Sequence, residues 1–318
     1  MMRHDPLLRA TTLEYETTLP VLGIETRFET NSAAVMDVVD ESFGRWRQVH
    51  DATHCGTQSV RVRVVVSDGR EESTSRSPIT HVSGPGKRLV LQSHGSIGVV
   101  DPLRRESIAF VTSELVDDRA NFRVAMLEAI TLALLACFDR HPVHAAAITR
   151  GERTALLAGP SGSGKSTLAY LAHSAGIHVL SDDHVWVQTE PDCRIWGSAP
   201  HARLLSESAA HFPEVVHTGS EKVVVPLRPH EETHRLIAHE PVVCVLSRGE
   251  RAMLEPIPSD EVESELVQQL TPGFDRFPER NADVVRRISQ RGGWRLTLSG
   301  NPHDALPLLN RVIDGNWP

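Results

Sequence analysis

Ala155-Leu156-Leu157-Ala158-Gly159-Pro160-Ser161-Gly162-Ser163-Gly164-Lys165-Ser166-Thr167 is the stretch on which the reading of this chain turns. Four apolar residues with strand character lead into eight that fit the pattern G-x-x-x-x-G-K-[ST] in full. Thr167 to Ala175 then reads as a helix with Leu168 and Leu171 toward a sheet. Glycines tolerate positive φ, so such a loop can wrap its backbone around an anion. Its amides point inward, and the helix that follows adds the partial positive charge of its N-terminus. Lys165 can reach the β- and γ-phosphates of a nucleoside triphosphate, and Ser166 offers a hydroxyl to Mg²⁺. The expectation is ATP with Mg²⁺, held by Gly159, Ser161, Gly162, Ser163, Gly164, Lys165, Ser166 and Thr167. The order strand, loop, helix is what separates this motif from a glycine-rich turn with no ligand.

Working outward, the next strand-like run is Ile177 to Leu180, and it ends in Ser181-Asp182-Asp183-His184. Ligands of open α/β sheets gather at the carboxyl ends of strands. One carboxylate there can hold Mg²⁺, and the other can take the proton of an attacking hydroxyl. A turn or helix cap is the structural alternative for such a pair. On the other side of the loop, His144 opens a strand, Ala145 to Ile148, expected to pair near the loop strand. The remaining histidines, His178, His184 and His201 among them, show no metal-ligand spacing.

Composition bounds the rest. The chain has 318 residues, 40% hydrophobic and 23% charged, the balance of a soluble globular protein with a real core. Aromatics are 5%, so that core must be mostly Leu, Val, Ala and Ile. A net charge of −8 gives no whole-surface attraction for nucleic acid or anionic lipid. The four cysteines, Cys55, Cys137, Cys193 and Cys244, have no C-x-x-C spacing, which argues against a zinc ribbon or redox motif. Cys137 and Cys244 sit in apolar runs and read as buried thiols. The N-terminus lacks the apolar core of a signal peptide, and the run Ile130 to Phe138 is too short to span a bilayer. The expectation is a cytoplasmic protein with no membrane contact.

The pattern divides at about residues 115/116. Residues 1–115 read as a β-rich N-terminal lobe. Thr18 to Phe28 suggests strands around a turn at Gly23, and Ser32 to Trp46 has apolar residues at helical spacing. Ser59 to Ser67 alternates Val and Arg and runs into Asp68-Gly69, a hairpin signal. Arg61 and Arg63 there read either as an anion patch or as a solvated strand face. Short strands follow at Arg88 to Leu91, Ile97 to Val100 and Ser107 to Val111. From residue 116 the pattern becomes helix and strand in alternation, an α/β catalytic domain. It opens with an amphipathic helix, Asn121 to Phe138. Lys222 to Leu227 and Pro241 to Leu246 read as buried strands. Asp260 to Leu270 and Asp304 to Ile313 read as helices.

Taken together, His144, the loop Gly159 to Thr167 and Leu180-Ser181-Asp182-Asp183, in that order, resemble the HPr kinase/phosphorylase family. The likeness is closest in style to stand-alone HPr-kinase-like proteins, some of which phosphorylate lasso-peptide precursors. The resemblance implies a P-loop catalytic domain of the HPr kinase/phosphoenolpyruvate carboxykinase type. It implies transfer of the ATP γ-phosphate to a serine of a peptide or small protein, with homo-oligomers among relatives. It also implies catalytic roles for Lys165, Asp182, Asp183 and His144. Ser166 and Asp182 would hold Mg²⁺, and Asp183 would act as base. The region after the acid pair, Ala202 to Ala210 (ARLLSESAA), lacks the Glu-x-Arg-Gly signature tied to dephosphorylation. Lys222 reads as a second cation for the phosphates or as a solvated lysine. A small-molecule kinase of the same fold and a non-catalytic nucleotide sensor are the alternatives.

Overall fold

The computed structural model describes residues 11–49, 58–67, 80–93, 95–197, 201–216, 222–227, 236–239, 241–269 and 277–315. The chain divides into two compact units, 1–138 and 139–318.

In the first unit, β1 (Tyr15–Val21) and β2 (Ile24–Thr30) pair as an antiparallel hairpin. Leu22 and Gly23 in its turn have φ of 50° and 72°. Two positive φ values suit the tight turn that matches strand twist. β3 (Ser59–Ser67), β4 (Thr80–Gly84), β5 (Arg88–Ser93), β6 (Ser96–Asp101) and β7 (Glu106–Thr112) complete a seven-stranded sheet, ordered β1-β2-β3-β7-β6-β5-β4. β3 runs parallel to both of its neighbours, β2 and β7. This corrects the hairpin expected after β3, because β4 lies at the far edge of the sheet; Asp68-Gly69 itself and the polar stretch around it fall outside the described residues. Parallel pairing needs a crossover. Between β2 and β3 that crossover contains α1 (Ala33–Phe43), which buries Val35, Val38, Val39 and Phe43.

The long helix α2 (Arg119–Phe138) buries Phe122, Met126, Leu127, Ile130, Leu134 and Leu135. Its turn Arg123–Glu128 is π-helical. A Cβ at Gly98 in β6 would stand 2.8 Å from Ile130 Cγ2 and Met126 Sδ, so only glycine lets the helix lie this close. By length and composition alone α2 is apolar enough to cross a membrane, but half of it is buried as in a core helix. The sequence pattern places this helix in the catalytic part; it belongs instead to the first unit, which runs on to Phe138. On the sheet's charged face Arg27 pairs with Glu16 and Glu29, Arg61 with Glu29, and Arg63 with Glu106. Arg61 and Arg63 are thus met by carboxylates of neighbouring strands, as a solvated face requires. Each such pair contributes about 1 kcal/mol or less.

The second unit is built on a six-stranded sheet, ordered β11-β9-β10-β17-β19-β18. Its strands are β9 (Ala145–Arg150), β10 (Arg153–Ala158), β11 (His178–Ser181), β17 (Pro241–Arg248), β18 (Met253–Ile257) and β19 (Gly293–Leu298). Alternate residues of β10 enter two different cores. Ala155 and Leu157 pack with residues of α3 (Lys165–Ser174), of α6 (Leu306–Asp314) and of a ribbon, β14 (His201–Leu205) with β15 (Lys222–Pro226). Leu156 and Ala158 pack with residues of α4 (Ser259–Val267), of α5 (Pro278–Ser289) and of a second sheet. That sheet orders β16 (Ile237–His239), β13 (Arg194–Trp196), β12 (Val185–Gln188) and β8 (His141–Val143). Burial on both faces explains why β10 and β17 read as unbroken apolar runs. Each leucine so enclosed contributes about 2 kcal/mol. The ribbon corrects the expectation of a fully buried strand at Lys222 to Leu227, since only alternate residues of β15 are inside.

Cys244 is fully buried in β17, and burial pushes its thiol up to about 12. Cys137, expected to be buried, is only half-buried. Among the described residues Cys137, Cys193 and Cys244 form no disulfide.

Candidate functional site

Strand register decides which residues meet. β9 is antiparallel to β10, with Ala145 opposite Ala158. β11 is antiparallel to β9, with Ser181 opposite Ala147. β17 is parallel to β10, with Val245 opposite Ala158. The entry to β9 (His144) and the exits of β10 (Gly159), β11 (Asp182) and β17 (Arg248) therefore share one edge of the sheet. That edge is where α/β folds bind ligands.

The loop between β10 and α3 is strongly curved. Gly162 and Gly164 have φ of 80° and 112°. A Cβ at Gly164 would also stand 2.9 Å from Leu298 Cδ1, so this position admits glycine on two counts. The Ser163 amide donates to Pro160 O at 3.1 Å, and α3 takes over as Leu168 N–H donates to Gly164 O at 2.9 Å. Ser161 and Gly162 are exposed at the tip, while Ser166 and Thr167 are half-buried in the first turn of α3.

Lys165 is only 6% exposed and folds back over the loop. Its Nζ donates to Gly159 O at 2.6 Å and to Pro160 O at 3.2 Å. An ammonium has three N–H donors, so one remains for a ligand. Burial lowers the Lys165 pKa, and the negative charge of Asp183 opposes part of that shift. Ser163 Oγ is buried with no hydrogen-bond partner among the described residues. A spare N–H on a buried ammonium and an orphaned hydroxyl are features an anion would satisfy.

The acid pair splits into two environments. Asp182 is half-buried, and burial pushes its carboxyl up to about 6, although its Oδ2 accepts the Arg203 amide at 3.1 Å. The nearby charge of Asp183 acts in the same direction as burial. Asp183 is bonded to two imidazoles, His144 Nε2 at 3.0 Å and His184 Nδ1 at 2.9 Å. Those bonds hold it well below the usual carboxylate range. The two rings stack, with centroids 5.0 Å apart and planes at 15°.

The half-buried Asp182 carboxylate is an oxygen donor of the kind a divalent cation takes. A buried carboxylate with raised proton affinity gains most from a nearby positive charge. Mg²⁺ at a phosphate site uses one or two carboxylates, with phosphate and water completing its shell. No group of three or more His, Cys, Asp or Glu arranged for a metal occurs among the described residues. Ser166 and Asp182 are the residues that would hold Mg²⁺ beside a bound triphosphate.

Three residues of the site are not apparent from the sequence pattern. Arg248, at the exit of β17, brings Nη2 to 3.4 Å from Gly162 O. A charged residue ending a buried parallel strand beside the loop strand is the available signal. Gln269, just beyond α4, accepts the Gly159 amide on Oε1 at 2.8 Å and donates from Nε2 to Glu265 O at 3.0 Å. Nothing local in the sequence marks it, because the contact depends on how α4 packs. His184 shows in the sequence only as a lone histidine. Lys222 stands on the exposed face of β15, opposite Leu205.

No family model and no curated protein matches this chain. Among solved structures, the Hpr(Ser) kinase/phosphatase from Coxiella burnetii is similar over 56% of this chain and 96% of that one. The identity is 10% and the TM-score 0.28. A likeness that loose assigns no family and has no bearing on the site, whose reading rests on the geometry above.

Proposed function

We propose that the second unit binds ATP with Mg²⁺ and transfers the γ-phosphate to a serine hydroxyl of a peptide or small protein. The observation that carries this reading is the meeting of loop, buried lysine, acid pair and His144 at one sheet edge. Phosphoryl transfer demands charge neutralisation and in-line positioning more than covalent chemistry.

In this reading the loop amides and Lys165 hold the phosphates, and Ser163 Oγ gains the partner it lacks. Mg²⁺, held by Ser166 and Asp182, would neutralise phosphate charge when bound. The Asp183–His144 pair receives the hydroxyl proton as one coupled unit, with the carboxylate fixing the ring. His184 holds the second oxygen of that carboxylate. Arg248 supports the loop from the β17 side.

The test is transfer from labelled ATP to candidate serine peptides, followed by mass spectrometry. Asp183→Asn is expected to retain nucleotide binding and to slow transfer by about 10²–10⁴-fold, the usual contribution of a proton acceptor. Near-normal transfer by that variant overturns the role of the pair. A wild-type chain that binds ATP and labels nothing, with Mg²⁺ present, favours the sensor alternative.

A further inference from the structure

Asp183 stands between two imidazoles, and the bonds it accepts fix where each ring keeps its lone pair. A carboxylate only accepts, so each ring nitrogen facing it carries a hydrogen. His144 meets Oδ1 through Nε2 at 3.0 Å, and His184 meets Oδ2 through Nδ1 at 2.9 Å. In its neutral form His144 therefore keeps its lone pair on Nδ1, and His184 on Nε2. Neither of those two nitrogens has a hydrogen-bond partner among the described residues. The rings also stack, with centroids 5.0 Å apart and planes at 15°, so a ring that turned would lose both its stack and its bond.

The two lone pairs are not equivalent. His144 precedes Ala145, which stands opposite Ala158, the last residue before the loop. His184 precedes Val185 of β12, which pairs with Val143 in the other sheet. The His144 side chain is 23% exposed, against 42% for His184. The nitrogen beside the loop is thus also the one better sheltered from water. We propose that the acceptor hydroxyl gives its proton to His144 Nδ1, and that His184 is a positioning residue that clamps Asp183 by its other oxygen. As the O–H bond breaks, the proton moves to the Nδ1 lone pair and the electrons stay on the oxygen, which attacks the γ-phosphorus. The bond from that phosphorus to the bridging oxygen breaks, and its electron pair leaves on the diphosphate. The imidazolium so formed stays paired with the Asp183 carboxylate. This assignment rests on the phosphotransfer reading, but the tautomers beneath it can be read with no nucleotide present.

Long-range proton–nitrogen correlation spectra of the full chain distinguish the two tautomers of a neutral imidazole, and the variants His144→Gln and His184→Asn assign the two rings. The expected result is Nε2–H for His144 and Nδ1–H for His184. A hydrogen on Nδ1 of neutral His144 overturns the proposal, because that nitrogen then has no lone pair to accept with. Kinetics supply the second arm, with the serine peptide that the wild type labels from ATP. His144→Gln keeps an amide N–H where Nε2 donates and loses the accepting nitrogen. Its kcat should fall about 10²–10⁴-fold with little change in the KM for Mg·ATP. Near-normal kcat in that variant leaves the proton to Asp183 and overturns the assignment. His184→Phe keeps a stacking ring and loses the bond, and should lower kcat roughly 10–100-fold. His184→Asn, whose amide N–H stands in for Nδ1–H, should recover most of that loss; equal kcat in the two variants overturns the clamp. Melting curves matching wild type would show that the variants fold. A wild-type chain that labels no peptide sinks the phosphotransfer reading and this assignment with it, whereas labelling by both wild type and His144→Gln sinks the assignment alone.

Discussion

Alanine at Gly164 and at Gly162 separates two kinds of constraint on one loop. Gly162 has φ of 80°, and a Cβ added there would have nothing within 4 Å, so Gly162→Ala meets backbone strain alone. That strain is about 1–2 kcal/mol for a left-handed L-residue. Gly164 has φ of 112°, and its added Cβ also meets Leu298 Cδ1 at 2.9 Å and Arg248 Nη2 at 3.4 Å. Leu298 is buried on β19, so its methyl must shift within a packed core, adding about 1–3 kcal/mol. Gly164→Ala should therefore cost roughly 2–5 kcal/mol against roughly 1–2 for Gly162→Ala. At about 2–4 °C per kcal/mol for a unit of this size, thermal melts of the full chain should separate the two by several degrees. Equal melting temperatures would refute the close approach of β19 to the loop. A Gly164→Ala chain as stable as wild type would refute the left-handed conformation itself.

Other outcomes follow from single contacts. Gln269→Leu removes the acceptor for the Gly159 amide and should weaken nucleotide binding about tenfold, for a net cost near 1–2 kcal/mol; an unchanged Kd would show that the bond does not shape the loop. Arg248→Ala should likewise weaken Mg·ATP about tenfold, with little change in melting temperature because the side chain is exposed. Asp139 accepts from the Thr189 amide and hydroxyl, the Glu190 amide and His141 Nε2. Burial alone would raise its pKa, but those bonds prevail and hold it below the usual carboxylate range. A depressed folded-state pKa contributes stability that is present above the unfolded value, about 3.9, and is lost as pH falls through the folded one. The stability gap between wild type and Asp139→Asn should therefore be about 1–3 kcal/mol near neutrality and should shrink as pH falls below about 4. A gap independent of pH in denaturation series would refute this.

The sequence is legible where structure is local. The glycines, lysine and serine of the loop occupy consecutive positions, and the strand and helix around them follow from short-range patterns. The β1–β2 turn at Gly23 and the helix after Asn31 are readable for the same reason. What stays hidden depends on distant partners. β3 looks like the first arm of a hairpin because alternation records a half-exposed face and says nothing of the neighbour's direction. α2 falls to the wrong unit on pattern alone because its apolar stripe does not reveal which sheet it covers; only the space left by Gly98 does. Gln269 meets Gly159 across 110 residues, a separation no local pattern encodes. Asp182 and Asp183 are visible as a pair, but their opposite electrostatic settings arise from the burial of Asp182 and from the imidazoles of His144 and His184 on Asp183.

The central claim is that the loop and Lys165 form a cradle for a triphosphate with Mg²⁺. Isothermal titration of Mg·ATP into the full chain, wild type and Lys165→Ala, tests it most directly. Loss of a charge-assisted bond worth about 2–3 kcal/mol predicts one saturable site in the wild type and a Kd weakened roughly a hundredfold in the variant. No saturable heat in the wild type, or the same Kd in both, would contradict it.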